Sequence, residues 1–160
     1  MALTMVVGGA KSGKSRYALA LACAHGPRVG FAATLWPLSD EMAAETRRLR
    51  AERRDSFVTW EAPVDVVELI ETRGPYLDAL VVDSFTEWLR NLVQAGVPDL
   101  VQATDRLAAA ALIAPAMIVA VAEEGDALAH GERVNEAQER LAGHVAHLYR
   151  MVDGLPVRMK

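Results

Sequence analysis

The chain has 160 residues, 52% of them apolar and only 6% aromatic, and a formal net charge of −4 at neutral pH. That length fits one domain, residues 1–160, with a core built mainly from Ala, Val, Leu and Ile. The negative balance argues against general nucleic-acid binding, which rewards an excess of Lys and Arg. A single cysteine, Cys23, excludes an internal disulfide. Its place in an apolar helical stretch, residues 17–23, predicts a small buried hydrophobe. No basic segment followed by a long apolar one opens the chain. The longest apolar run, residues 107–122, is split by Pro115 into halves too short to span a bilayer. The expectation is a protein without a membrane span, located in the cytoplasm.

Strand and helix alternate along the chain. Residues 3–7 form a short apolar run ending in Gly8-Gly9, a strand feeding a turn. Residues 15–24 are helical and stop at His25-Gly26-Pro27. Residues 29–34 read as the next strand. Ser39 caps a predicted helix that runs to about Arg53. Residues 57–60 suggest a short strand, and Pro63 opens another helix. Residues 79–82 are a buried strand ending at Asp83-Ser84. Helices follow over 86–94, stopped by Gly96, and over 99–113. Residues 117–122 give a fourth central strand, ending at Glu123-Glu124-Gly125. A helical pattern over 134–147 precedes a terminal hairpin, 148–152 with 155–159. Continuous apolar strands alternating with helices predict a mostly parallel sheet covered on both faces. Ligands of such sheets gather at the carboxyl ends of the strands. The chemistry-bearing residues fall there: Gly8 onward, Thr34, Asp83 and Glu123.

Gly8-Gly9-Ala10-Lys11-Ser12-Gly13-Lys14-Ser15 satisfies G-x4-G-K-[ST] between a strand and a helix. Glycines let backbone approach phosphate oxygens, successive N–H groups form an anion nest, and the helix N-terminus adds partial positive charge. Lys14 is expected to reach the β- and γ-phosphates of a nucleoside triphosphate and Ser15 to ligate Mg2+. Asp83, ending an apolar strand, is expected to support the same ion. Glu123 or Glu124 could orient or deprotonate a hydroxyl nucleophile, or be a solvated loop charge; Glu123 is preferred. Arg47, Arg48, Arg50, Arg53 and Arg54 crowd one predicted helix, either as an anion-binding surface or, the favoured reading, as a solvated face balanced by Glu41, Glu45 and Glu52. His144 and His147 lie three apart, but without a third ligand, and with His130 they are read as structural.

On these blocks the chain resembles the adenosylcobinamide kinase / adenosylcobinamide-phosphate guanylyltransferase family of cobalamin biosynthesis. Residues 7–16, Val-Gly-Gly-Ala-Lys-Ser-Gly-Lys-Ser-Arg, are close to the family's G-G-A-[RK]-S-G-K-S-R. Ala33-Thr34 with Asp40-Glu41-Met42 follow. A spaced set then matches: Arg53, Phe57, Thr59, Glu61 and Pro63, with Phe57 where the family usually has Trp. Residues 82–92, Val-Asp-Ser-Phe-Thr-Glu-Trp-Leu-Arg-Asn-Leu, are like the family's V-D-C-L-T-x-W-L-x-N-L. The ending from Gly154 to Lys160 is also similar.

The resemblance implies a P-loop NTPase of RecA-like fold that can assemble as a trimer. It implies two reactions on a corrinoid. ATP or GTP first phosphorylates the aminopropanol hydroxyl of adenosylcobinamide. GTP then donates a guanylyl group to that phosphate through a guanylyl-histidine. It places Lys14, Asp83 and Glu123 in catalysis, Ser15 and Asp83 on Mg2+, and residues 8–15, Arg16 and Thr34 on the nucleotide. Besides Phe57, two positions and one region depart from the family. The guanylylated histidine lies four residues before the Arg matching Arg53, where this chain has Leu49, which offers no nucleophile. The Asn before the strand-end Glu is Ala122, and the region of Arg133 to Gln138 is poorly kept. The expectation is therefore a kinase with the guanylyl-transfer half in question. The alternatives are a nucleotide-binding regulatory or docking module, and a full bifunctional enzyme in which transfer is direct or uses another histidine such as His130.

Overall fold

The computed structural model describes residues 2–35 and 57–160. The expected helix from Ser39 to Arg53, with Leu49 and the arginine cluster, lies outside them. Among the described residues seven strands share one sheet. They are β1 (Ala2–Gly8), β2 (Val29–Ala33), β3 (Phe57–Glu61), β4 (Ala79–Asp83), β5 (Met117–Glu123), β6 (His147–Val152) and β7 (Leu155–Arg158). Their spatial order is β3-β2-β4-β5-β1-β6-β7, parallel except for the closing β6/β7 hairpin. The helices are α1 (Lys14–His25), α2 (Val66–Arg73), α3 (Phe85–Gln94), α4 (Leu100–Ile113), the single turn α5 (Ala127–His130) and α6 (Glu132–His144). A 3-10 turn, Gly74–Tyr76, follows α2.

The central strands are apolar throughout because both faces are covered. Side chains alternate between the faces. Leu3, Met5, Leu80, Val82, Ile118 and Ala120 point toward α2, α3, α4 and α6, where Ile70, Phe85, Trp88, Leu107 and Leu141 are buried against them. Val6, Phe31, Val81, Val119 and Val121 point the other way, onto Ala18 and Ala22 of α1. Small alanines let α1 sit close to the sheet. Trp88 is 2% exposed, and its indole N–H still donates to the Val64 carbonyl at 2.9 Å, so no polar group is stranded. Ser84 and Asp99 cap α3 and α4, accepting from the N–H groups of Glu87 and Gln102.

Several boundaries differ from the sequence reading. α2 begins at Val66, with Asp65 rather than Pro63 at its cap. α6 ends at His144, and His147 already opens β6, because the chain must turn to pair with β1. The turn α5 was not anticipated. Cys23 is exposed, not buried. The buried stripe of α1 is Ala18 and Ala22, four apart; Cys23 lies about 100° round the helix from Ala22 and faces water. No helix among the described residues is long and apolar enough to cross a membrane.

Candidate active site

β1 delivers the chain to Gly8, and the loop to α1 follows. Its backbone alternates in handedness: Lys11 has φ +59° and Gly13 φ +85°. Holding Lys11 left-handed costs about 1–2 kcal/mol. That alternation turns successive N–H groups inward into an anion nest. The turn is closed by Ser12 N–H donating to the Gly9 carbonyl at 3.2 Å, and the first α1 bond runs from Tyr17 N–H to Gly13 carbonyl at 2.9 Å. The amides at the start of α1 therefore have no acceptor within the helix. Gly13, at the cap, supplies no side-chain acceptor, and no acid stands in the first turn. Gly8 must be glycine for space, since a Cβ there would collide with Ser12 Oγ and approach Met151 Cβ to 3.1 Å.

Two polar side chains of the loop, those of Lys14 and Ser12, turn in against it. Lys14 Nζ donates to the Gly9 carbonyl at 3.0 Å, folded back over the loop. Ser12 Oγ is buried with no hydrogen-bond partner among the described residues. Leaving such a hydroxyl unpaired costs about 1–3 kcal/mol, which an anionic oxygen would relieve. A cleft of about 750 Å³ opens beside the loop, walled by Lys14, Ser15, Arg16 and Tyr17 on one side and by Met151 and Pro156 of the hairpin on the other. Tyr17 meets Tyr149 edge-on at 5.3 Å between ring centroids, joining α1 to β6. Burial, then its neighbour Tyr149, raises the Tyr17 pKa.

The sheet order sets the rest of the site. β5 lies between β1 and β4, so Glu123 pairs in register with Gly8 while Asp83 pairs with Val121. Glu123 thus reaches about 7 Å further toward the carboxyl edge than Asp83, two strand residues at ~3.3 Å each. Three side chains hold it. Thr86 Oγ1 accepts from the Glu123 N–H at 2.9 Å and donates to Gln138 Oε1. Gln138 Nε2 donates to the Glu123 carbonyl at 3.4 Å. Arg90 Nη2 donates to Glu123 Oε2 at 3.0 Å and meets His130 Nδ1 at 3.1 Å, while Nη1 donates to Glu87 Oε1 at 2.5 Å. Burial pulls the Arg90 pKa down, but its bonds to Glu87 and Glu123 outweigh this and raise it above the usual guanidinium value.

Glu124 is placed differently. Its N–H donates to the Gly8 carbonyl at 2.9 Å and its carboxylate is ion-paired with Arg150 of β6. Thr34 follows β2 directly, fully buried, with its hydroxyl accepting from Ser84 N–H at 2.7 Å and donating to the Ser84 carbonyl at 2.8 Å. Asn91 Nδ2 donates to the Thr34 carbonyl at 2.7 Å. Thr34 therefore braces the end of β4, where Asp83 sits. His144 is bonded to Asp105 at 2.8 Å, and the described residues contain no group of three or more metal-ligating side chains drawn from His, Cys, Asp and Glu.

Sequence reasoning had singled out the loop, Asp83, Glu123 and Glu124, which the topology brings to one edge. It missed Arg90, Thr86 and Gln138. The Glu87–Arg90 spacing signals a local helix pair, but nothing in the sequence links Arg90 to Glu123, 33 residues on.

A G-x4-G-K-[ST] loop between β1 and α1, with an extra strand between β1 and the Asp-bearing β4, defines the RecA-like fold of P-loop NTPases. Solved structures agree on the fold. The RadB recombinase superposes with TM-score 0.60 at 19% identity, covering 93% of this chain and 73% of its own. An ATPase from the type III secretion system of pathogenic bacteria gives 0.61 at 16%, covering 98% and 56%. The P4 protein of bacteriophage phi6, in complex with ADP, gives 0.54 at 17%, covering 97% and 52%. The cobinamide kinase / cobinamide phosphate guanyltransferase family matches residues 4–159, and the chain belongs to it. The bifunctional adenosylcobalamin biosynthesis protein CobP of Pseudomonas aeruginosa PAO1 is 34% identical over 94 residues. That alignment spans 59% of this chain and about half, 54%, of the relative.

Proposed function

We propose that this chain is a nucleoside-triphosphate-dependent kinase, using ATP or GTP, that phosphorylates the aminopropanol hydroxyl of adenosylcobinamide. One observation carries the reading: an uncapped anion nest at Gly8 to Ser15 lies in register with a held carboxylate, Glu123, on the next strand. The nest, Lys14 and Ser12 Oγ bind the triphosphate. The acceptor hydroxyl oxygen forms a bond to the γ-phosphorus as the bond from γ-phosphorus to the β,γ-bridging oxygen breaks. The nucleoside diphosphate leaves with that electron pair, and Glu123 takes the hydroxyl proton.

Mg2+ fits the donor set, since Ser15 and Asp83 offer two hard oxygens and this ion completes its shell with phosphates and water. When bound, it neutralises charge on the β- and γ-phosphates. The protein's own contribution is positioning: the loop fixes the donor, Thr34 braces the Asp83–Ser84 turn, and Arg90 with Gln138 and Thr86 fixes Glu123.

Guanylyl transfer through a covalent histidine is disfavoured. Leu49 has no nucleophile at the family's position. His130 Nδ1 is engaged by Arg90, and Nε2 is buried beside Gly125 without a partner among the described residues.

The test is a two-step assay with Mg2+ and ATP or GTP, run separately on cobinamide and on cobinamide phosphate. Cobinamide phosphate from the first, and no acid-labile label on the protein from α-labelled GTP, is the expected result. Nucleotide binding without turnover on cobinamide would overturn the kinase reading and favour a docking module. Label appearing in Leu49→His alone supports simple loss of the nucleophile.

A further inference from the structure

Arg90 occupies an unspecified position of the 82–92 motif, so the family resemblance gives it no role. Its setting does. The guanidinium is held on two sides that do not involve Glu123: Nη1 by Glu87, one turn back on α3, and Nη2 by His130 Nδ1 at the end of α5. Its remaining reach goes to Glu123 Oε2 at 3.0 Å. Both side chains are about one-third exposed, 37% and 36%, so they line the edge without being sealed from it. Arginine suits this task because its planar fork serves several acceptors at once in fixed directions, as a lysine point charge cannot. Glu123 Oε1 has no partner among the described residues and is the oxygen left for a proton.

We infer that Arg90 is a positioning residue for Glu123, fixing the rotamer that turns Oε1 toward the acceptor hydroxyl. The inference rests on the reading of Glu123 as the proton acceptor. Glu87 and His130 fix the arginine, the arginine fixes one carboxylate oxygen, and the other is presented to substrate. Without Arg90 the carboxylate samples several rotamers, and turnover falls while nucleotide affinity holds.

The experiment compares Arg90→Met, Arg90→Lys, Glu123→Gln and the double variant Arg90→Met/Glu123→Gln, all checked for folding by circular dichroism. Steady-state phosphorylation of cobinamide is read beside the 15N guanidinium spectrum of the wild type and Glu123→Gln. Arg90→Met is expected to lower kcat roughly 10- to 100-fold, with KM for nucleotide within about twofold, a part of what a general base supplies. Arg90→Lys recovers part of the loss. Adding Arg90→Met to Glu123→Gln costs less than about twofold more, because residues acting as a unit are not additive. The Arg90 Nη resonances are expected to stay restricted in both proteins, held by Glu87 and His130, and to shift in Glu123→Gln, where a neutral amide replaces the carboxylate acceptor.

Full kcat in Arg90→Met beside a crippled Glu123→Gln overturns the inference and leaves the kinase reading intact. Multiplicative losses in the double variant overturn it as well. Full kcat in Glu123→Gln overturns the reading of Glu123, and the inference with it. If the wild type does not turn over at all, the spectrum decides: Arg90 resonances identical in wild type and Glu123→Gln remove the contact on which the inference stands.

Discussion

Glu123 lies directly across the β1/β5 ladder from Gly8, the first residue of the glycine loop. The next residue, Glu124, donates its N–H to the Gly8 carbonyl at 2.9 Å. The two glutamates are therefore adjacent at the end of β5 but held by different groups: Thr86, Gln138 and Arg90 for Glu123, the Gly8 carbonyl and Arg150 for Glu124. Glu123→Gln is expected to lower kcat for cobinamide phosphorylation at least ~100-fold, the scale of a lost general base. Glu124→Gln, removing a partly exposed ion pair, is expected to stay within a few fold. Steady-state kinetics on both variants separates the roles that sequence left open.

Lys14 is folded onto the Gly9 carbonyl, within the loop it is expected to leave when phosphates arrive. Replacing it with Met removes the charge that meets the β- and γ-phosphates. The expected loss in kcat is roughly 100- to 1000-fold, as for removal of one transition-state donor. Nucleotide titration by calorimetry should show weakened binding with the fold retained.

Gly13 stands at φ +85° where α1 begins. An alanine there must adopt the left-handed region, at a cost of about 1–2 kcal/mol, or unwind the nest. Gly13→Ala is expected to lower the melting temperature and to weaken nucleotide binding. Full affinity in Gly13→Ala would contradict the backbone cradle.

Asp105 of α4 accepts from Arg140 Nε at 2.8 Å and meets His144 of α6 at 2.8 Å. Hydrogen bonds from Arg140 first, then His144, hold its pKa near about 2, below the ordinary 3.8. A carboxylate depressed in the folded state contributes stability above its unfolded pKa and loses it as pH falls through the folded value. Stability should therefore decline between about pH 4 and pH 2, and Asp105→Asn should flatten that part of the curve. The effect is small because the pair is exposed; urea midpoints across this range measure it.

Leu107 is fully buried between α4 and the sheet, away from the loop. Leu107→Ala is expected to cost about 2–5 kcal/mol in chemical denaturation. Nucleotide affinity at low temperature should be retained, which would separate core stability from the site.

The sequence by itself determined the glycine loop between β1 and α1, the alternating α/β order and the strand-end positions of Asp83 and Glu123. Each of these follows from local chemistry: glycine spacing, unbroken apolar runs, and charge at the end of a strand. Local pattern also misled. Cys23 sits in an apolar stretch, yet helix geometry turns it to water one position beyond the buried Ala22. His147 continued a helical pattern, yet pairing with β1 starts a strand there.

Only the tertiary structure decided that β5 inserts beside β1, which sets Glu123 rather than Asp83 across from Gly8. Only it brought Arg90, Thr86 and Gln138 to Glu123, and Thr34 to Ser84. Strand order and long-range hydrogen bonds depend on how whole faces pack, and a residue's neighbours along the chain do not encode them. The glycine loop is written in eight consecutive residues; the groups bonded to Glu123 and Arg90 beside it are spread across α3, α5 and α6.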